Sequence, residues 1–273
     1  MGGGKMEFLS FLDQYSFLFS LAYTIGAAII GFLASKIIPA LRKHKIKKCL
    51  SLGKHECKIV LPDYSGKLHN QKDVLALCPI GDIKAASNVI DLIHATGLYS
   101  HQQSIIYEGN YSDSFEHYNI FCIGGSLANH YTYDLFQQFF PNFKICASEE
   151  KIQTNPNKIP ANHFVVCEQE GFCWGNADNE KFLVNKGERY AIIVKLSNND
   201  FKMENHGTVH ILFGNGIEGT IAISKYLLND YQDLYKKVKG KSHYFLAFKI
   251  KRDTGIIMPN SFVDLTEKMF CTD

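Results

Sequence analysis

The chain has 273 residues, 46% hydrophobic and 21% charged, the make-up of a globular protein with ample core. Its formal charge is +2, from 29 Lys/Arg and 27 Asp/Glu, yet nine of the basic residues and only three acids (Glu7, Asp13, Glu56) fall in residues 1–58. The remainder is slightly acidic, which argues against a general nucleic-acid-binding surface.

Between Asp13 and Lys36 stand 22 uncharged residues, "QYSFLFSLAYTIGAAIIGFLAS". As a helix rising about 1.5 Å per residue they extend roughly 33 Å, enough for a hydrocarbon core of about 30 Å. Their scattered Ser, Thr and Tyr form no polar face, so a transmembrane helix over 14–38 is expected rather than a core helix. A cleaved signal peptide fits worse, because the positive cluster follows the run instead of preceding it. That cluster is Lys36, Arg42, Lys43, Lys45, Lys47 and Lys48, with only Lys5 on the other side. The positive-inside rule then sets a short external N-terminus, 1–13, and a basic juxtamembrane linker, 39–55, against anionic lipid. The expectation is a single-pass protein of the inner (cell) membrane with a cytoplasmic domain over 56–273. Met1-Gly2 resembles a myristoylation start, but Met6 stands where Ser or Thr is needed.

Eight cysteines, with no CxxC pair, suit a reducing compartment and indicate neither a disulfide framework nor a zinc site. His206 and His210 are four apart but straddle Gly207 at a strand start, so they read as ordinary core or surface histidines.

"CKIVLP" (57–62) reads as a buried strand ending in the turn-rich Pro62-Asp63-Tyr64-Ser65-Gly66. "GDIKAASNVIDLIHATGL" (81–98) carries Ile83, Ala86, Ile90 and Ile93 at helical spacing, with Gly97 as its stop. "SIIYEG" (104–109) and "YNIFCIGG" (118–125) are further strands, and 130–140 a further helix. This alternation predicts an α/β fold, a Rossmann-like, mostly parallel sheet with helices on both faces. "NHFVVCEQEGFCWGN", "EKFLVN" and "RYAIIVKLSN" predict a β-meander inserted in it or at its edge. "TVHILFGNGIEGTIAISKYLLNDYQDLYKKV" then resumes the strand, glycine turn and long amphipathic helix, and "HYFLAFKI" (243–250) closes the domain.

Two strand-to-helix junctions carry glycine, "CIGGSLAN" and "FGNGIEGT", and ligands of open parallel sheets bind beyond the carboxyl ends of the strands. A bare turn lets backbone approach a phosphate, and the following helix offers free N–H groups. Ser126 and Asn129 are expected to add donors at the first junction, Asn215 and Thr220 at the second. Glu218 has no evident partner and is the expected acceptor for ribose hydroxyls. Gly214, Gly216 and Gly219 satisfy GxGxxG, although the dinucleotide fingerprint normally sits on the first strand. The helix stripes Leu135, Phe136, Phe139 and Ile221, Tyr226, Leu227 are expected to be core.

"YNIFCIGGSLANHYTYDLF", followed some ninety residues on by "ILFGNGIEGTIAISKYL", resembles the SLOG-like nucleotide-sensor domains associated with Sir2 and TIR proteins in bacterial anti-phage systems. The resemblance spans about 57–250 and implies a Rossmann-like domain that binds a nucleotide-derived signal, ADP-ribose-like or cyclic. It also implies a sensor fused to an effector, here a membrane helix. It assigns the phosphate loop to Gly124, Gly125, Ser126 and Asn129, and the second loop to Gly214, Gly216, Glu218 and Thr220. Asp63 and Tyr64 would face the same crevice.

No Ser-His-Asp or Cys-His set is recognisable, "GGSLA" lacks the last glycine of GxSxG, and no DxD metal motif is present. Glu218 and Asp63 are the only acids expected in the crevice, and neither has a catalytic companion. The expectation is therefore a non-enzymatic receptor without a cofactor. Its partners are a nucleotide signal, membrane lipid and further copies of itself, not nucleic acid, and its output is disruption of the membrane. The alternative is a membrane-anchored nucleotide or NAD-metabolite hydrolase or glycosidase. Ala22/Gly26 and Ala27/Gly31, each four apart, offer small surfaces for helix packing.

Overall fold

The computed structural model describes residues 3–63, 78–98, 105–107, 118–125, 128–140, 163–167, 171–175, 184, 187–197 and 207–270. The chain divides into two units, Met1–Lys45 and Ile46–Asp273.

The first unit is helical. α1 runs Gly3–Leu50, through Pro39, and from Tyr15 on it is long and apolar enough to cross a membrane. None of its most apolar window is buried: Phe19 is 73% and Tyr23 80% exposed. The expected linker at 39–55 is helix as far as Leu50, and the second unit begins at Ile46 rather than 56. Pro39 forgoes one backbone bond, but the following "ALRKHKIKKCL" is rich in good helix formers. Its last turn also has somewhere to go: Ile46, Cys49 and Leu50 are buried core residues of the second unit.

The second unit is an α/β domain on a seven-stranded sheet of order β2-β1-β3-β7-β6-β8-β9. These strands are β1 (Cys57–Leu61), β2 (Ile105–Tyr107), β3 (Asn119–Ile123), β6 (Glu188–Leu196), β7 (Val209–Gly214), β8 (Tyr244–Lys251) and β9 (Val263–Asp264). β2, β1, β3 and β7 pair in parallel, while β6 is antiparallel to both β7 and β8. All five residues of β1 and of β3 are buried, as strands covered on both faces require.

Helices lie on both faces. α2 (Ile80–Thr96), α4 (Gly216–Asn229) and α5 (Tyr231–Val238) pack on one, together with the end of α1. α3 (His130–Phe139) and α6 (Thr266–Phe270) pack on the other. α2 stops at Gly97, in the left-handed conformation (φ 65°), as the sequence indicates. Its inward face is Ala85, Ala86, Val89, Leu92 and Ile93, while Ile83, expected inside, is 48% exposed. The expected single helix after β7 breaks at Asp230 into α4 and α5.

The expected β-meander is resolved differently. β4 (His163–Cys167) and β5 (Gly171–Gly175) form a two-stranded antiparallel pair of their own. "RYAIIVKL" instead becomes β6, fourth of the sheet's strands in chain order but placed inside it, between β7 and β8. Seven consecutive buried positions suit a strand with neighbours on both sides.

At the amino edge of the parallel strands the end of α1 is bonded to the sheet. The His210 ring stacks on Phe121 at 4.9 Å, and its Nε2 donates to the Leu50 carbonyl at 3.0 Å. Lys195 Nζ donates to Ser51 Oγ at 2.6 Å, and Thr208 Oγ1 to the Ser51 carbonyl at 3.0 Å. His210 is fully buried, its Nδ1 has no hydrogen-bond partner among the described residues, and burial together with Lys195 lowers its pKa from 6.5 to about 3. The fold therefore requires a neutral ring. Its contribution is complete above pH 6.5 and is lost as pH falls toward about 3. In residues 41–273, His210→Phe should flatten the acid limb of stability. Wild type should lose about 2 kcal/mol more than the variant between pH 6.5 and about pH 5, read by urea unfolding.

Candidate functional site

The chain leaves β1 and β3 in opposite senses: α2 covers one face of the sheet and leads to β2 on the left, while α3 covers the other face. Their carboxyl ends therefore diverge at a topological switch point, where doubly wound sheets open a ligand crevice. Pro62-Asp63 follows β1 there, and Gly124-Gly125 follows β3. Asp63 is half-buried; Tyr64 and Ser126 lie outside the described residues.

The first glycine turn is tightly specified. Gly124 has φ +93°, its N–H donates to Leu212 O at 2.9 Å, and its carbonyl accepts from Thr132 Oγ1 at 3.1 Å. A side chain is thus unfavourable at Gly124 through backbone conformation. Gly125 turns its carbonyl inward to the N–H groups of Ala128 and Asn129, at 2.9 and 2.8 Å. Its own N–H has no acceptor among the described residues. A Cβ on Gly125 would lie 3.1 Å from the Phe213 ring.

Asn129 is differently employed from the expectation. It is fully buried at the N-cap of α3, where Oδ1 accepts from Thr132 N at 3.2 Å. Its amide donates to Val60 O at 3.2 Å and Ile123 O at 2.9 Å. Both amide hydrogens tie the ends of β1 and β3 together, so the side chain has none left for a ligand.

The second glycine set is accounted for within the protein. A Cβ on Gly214 would stand 2.5 Å from Gly219 Cα, and one on Gly219 would stand 2.6 Å from Tyr190 O. These glycines let β7, α4 and β6 touch backbone to backbone, while Asn215 N donates to Tyr190 O at 3.0 Å. Thr220 is buried. Gly216, at φ +70°, leaves room for Arg189, which reaches over from β6 to pair with Glu218. Glu218 therefore has the partner that local sequence did not disclose, and a ribose would have to displace it.

A third acid stands at this edge. α2 runs antiparallel to β1, since Leu98 O, beyond its end, accepts from Cys57 N at 3.2 Å. Its first turn consequently lies at the carboxyl edge, where Gly81 abuts Ile217 of α4 so closely that a Cβ would fall 2.2 Å from Ile217 Cγ2. Next in sequence, Asp82 is 8% exposed; its N–H donates to Pro79 O at 2.9 Å, while its carboxyl has no hydrogen bond or ion pair among the described residues. Burial pushes its pKa up from 3.8 to about 6. In sequence, Asp82 reads only as a helix-start residue; its burial is a tertiary fact.

Cys49 and Cys57 behave as small apolar groups, buried and with pKa values pushed up to about 12. Among the described residues no cluster of His, Cys, Asp and Glu has the make-up of a metal site. The chain matches no protein-family model, no curated protein and no solved structure.

Two outcomes follow from this geometry. Gly219→Ala should cost more than about 2 kcal/mol in urea unfolding, because the obstacle is backbone that cannot swing away. Asp82→Asn should do the opposite. The fold prefers the neutral carboxyl, so wild-type stability is full below pH 3.8 and falls as pH rises to about 6. The variant should be more stable by about 2–3 kcal/mol at pH 8 and nearly equal to wild type at pH 4.

Proposed function

We propose that this chain is a membrane-anchored receptor for a nucleotide-derived second messenger, with the Gly124-Gly125 turn as its phosphate-binding element. One observation carries the reading: a bare turn at the carboxyl end of β3, beside the switch point between β1 and β3, whose Gly125 N–H has no acceptor among the described residues. An anion there would accept from that N–H. Gly214, Gly216 and Glu218 have the weaker claim, being occupied with one another, with Tyr190 and with Arg189.

The output we propose is at the membrane. α1 is uncovered along its apolar length, and its last turn, Ile46–Leu50, is core of the domain that carries the glycine turn. The basic cluster from Lys36 to Lys48 favours a cytoplasmic domain, and the sequence resemblance supplies the anti-phage setting. Ligand binding would gather copies of the chain, and their helices would together breach the bilayer.

Thermal unfolding of residues 41–273 with ADP-ribose isomers, cyclic nucleotides and NAD tests the receptor. A true ligand at 100 times its Kd raises stability by about 2.7 kcal/mol, and Gly125→Val should abolish that gain. No gain with any of them would remove the reading. Output is tested by growth and uptake of a membrane-impermeant dye, with full chain and 41–273 compared in cells supplied with the ligand. Dye entry should need the full chain and weaken in Gly26→Leu with Gly31→Leu, positions with nothing within 4 Å of an added Cβ. Toxicity that persists in 41–273 would favour the hydrolase alternative.

A further inference from the structure

We infer that a lysine face at the amino edge of the sheet, built by Lys47 and Lys48 of α1 with Lys236 and Lys239 of α5 and its end, docks on an anionic bilayer surface. The inference rests on the reading of α1 as a membrane helix and is independent of the nucleotide. Lys47 and Lys48 alone would only extend a basic stretch beside a membrane span. The structure sets a second basic segment next to them: Cys49 Sγ donates to Tyr231 O at 3.2 Å, across 182 residues of sequence. Lys48 Nζ lies 6.0 Å from the centre of the Tyr235 ring.

The fold places these residues at one edge. α4 follows β7 at the carboxyl edge and runs back, so α5 and the loop 239–243 come to the amino edge, where Tyr244 opens β8 opposite Lys195. Tyr231, Leu234 and Val238 hold α5 on the core, which leaves Lys236 and Lys239 exposed. Lys48 is exposed as well, and Lys47 half-buried. None of these four makes an ion pair among the described residues. The acids of α5 stand at its start, Asp230 and Asp233, and Asp233 is held by Lys237 at 3.4 Å and by the Tyr226 hydroxyl at 2.8 Å. Asp264 is held by Lys241. Glu56 before β1 and Glu267 on α6 are exposed acids on other elements. From Lys236 to Lys241 there are four lysines and no acid.

Such a face fits a surface of many weak anionic sites. Each ammonium gains little singly, but several add up at anionic headgroups, within a screening length of about 10 Å. Connectivity selects the bilayer among anionic surfaces. The chain enters this unit at Ile46, ten residues after Lys36, so along the chain this edge is the part of the unit nearest the apolar run. Docking there would add a second attachment to α1 and hinder swivelling of the domain. It would also turn the carboxyl edge, with the Gly124-Gly125 turn, away from lipid.

The test uses the full chain in lipid nanodiscs of phosphatidylcholine alone or mixed with phosphatidylglycerol. Acetylation rates of single lysines are read by mass spectrometry. Lys236 and Lys239 should react at least about threefold more slowly in the anionic discs, and the difference should vanish in about 1 M salt, where screening falls to about 3 Å. Lys84 and Lys251, exposed at the carboxyl edge, should react alike in both discs. Amide exchange of α5 should slow in anionic discs, and Lys236→Gln with Lys239→Gln should remove that slowing. Equal acetylation in the two discs, equal slowing at Lys84 and Lys251, or exchange protection that survives in the double variant would each overturn the inference and leave α1 as a membrane helix. If neither disc retains the chain, the membrane reading falls and this docking face falls with it.

Discussion

Two buried asparagines hold β1 in the sheet beside β3, one at each edge. At the amino edge Asn119 donates to His55 O at 2.6 Å and accepts from Thr208 N at 3.1 Å, so it ties the approaches to β1 and β7 to the start of β3. At the carboxyl edge Asn129 donates to the carbonyls of Val60 and Ile123 and caps α3. A side-chain amide has two donors and an oxygen, which suits a place where two strand ends and a helix start converge. Without that triple contact, strands whose connections leave on opposite faces would have unsatisfied carbonyls at their point of divergence.

The two edges of the sheet are built for different tasks. The amino edge is closed by Leu50, Ser51 and Leu52, where His210, Lys195 and Thr208 supply polar contacts inside an apolar core. Such contacts discriminate between arrangements, since a shift of the α1 end would leave buried groups unpaired. The carboxyl edge differs in chemistry: a bare glycine turn, an N–H without an acceptor among the described residues, and an acid whose charged form burial disfavours. Stability is concentrated where the helix joins the domain, and the features that cost stability lie where a ligand is proposed.

The glycine-rich second junction warns against reading motifs as sites. GxGxxG describes spacing, and here that spacing serves contact between β7, α4 and β6. Backbone approach to backbone and backbone approach to phosphate impose the same demand, the absence of a Cβ. Only the surroundings distinguish them.

Sequence alone determined the features that depend on near neighbours. The uncharged run of 22 residues marked α1, continuous apolar runs marked β1, β3 and β7, and Gly97 marked the end of α2. These signals repeat within a few residues, because a helix or strand buries a face defined by its own period. Four decisions were reserved to tertiary structure. They are the interior antiparallel place of β6, the pairing of Glu218 with Arg189, the use of Asn129 to join β1 and β3, and the burial of Asp82. Arg189 and Glu218 are 29 residues apart, and Asn129 and Val60 are 69 apart. Such pairs are fixed by which surfaces the whole chain can bury together, and no local period records that choice.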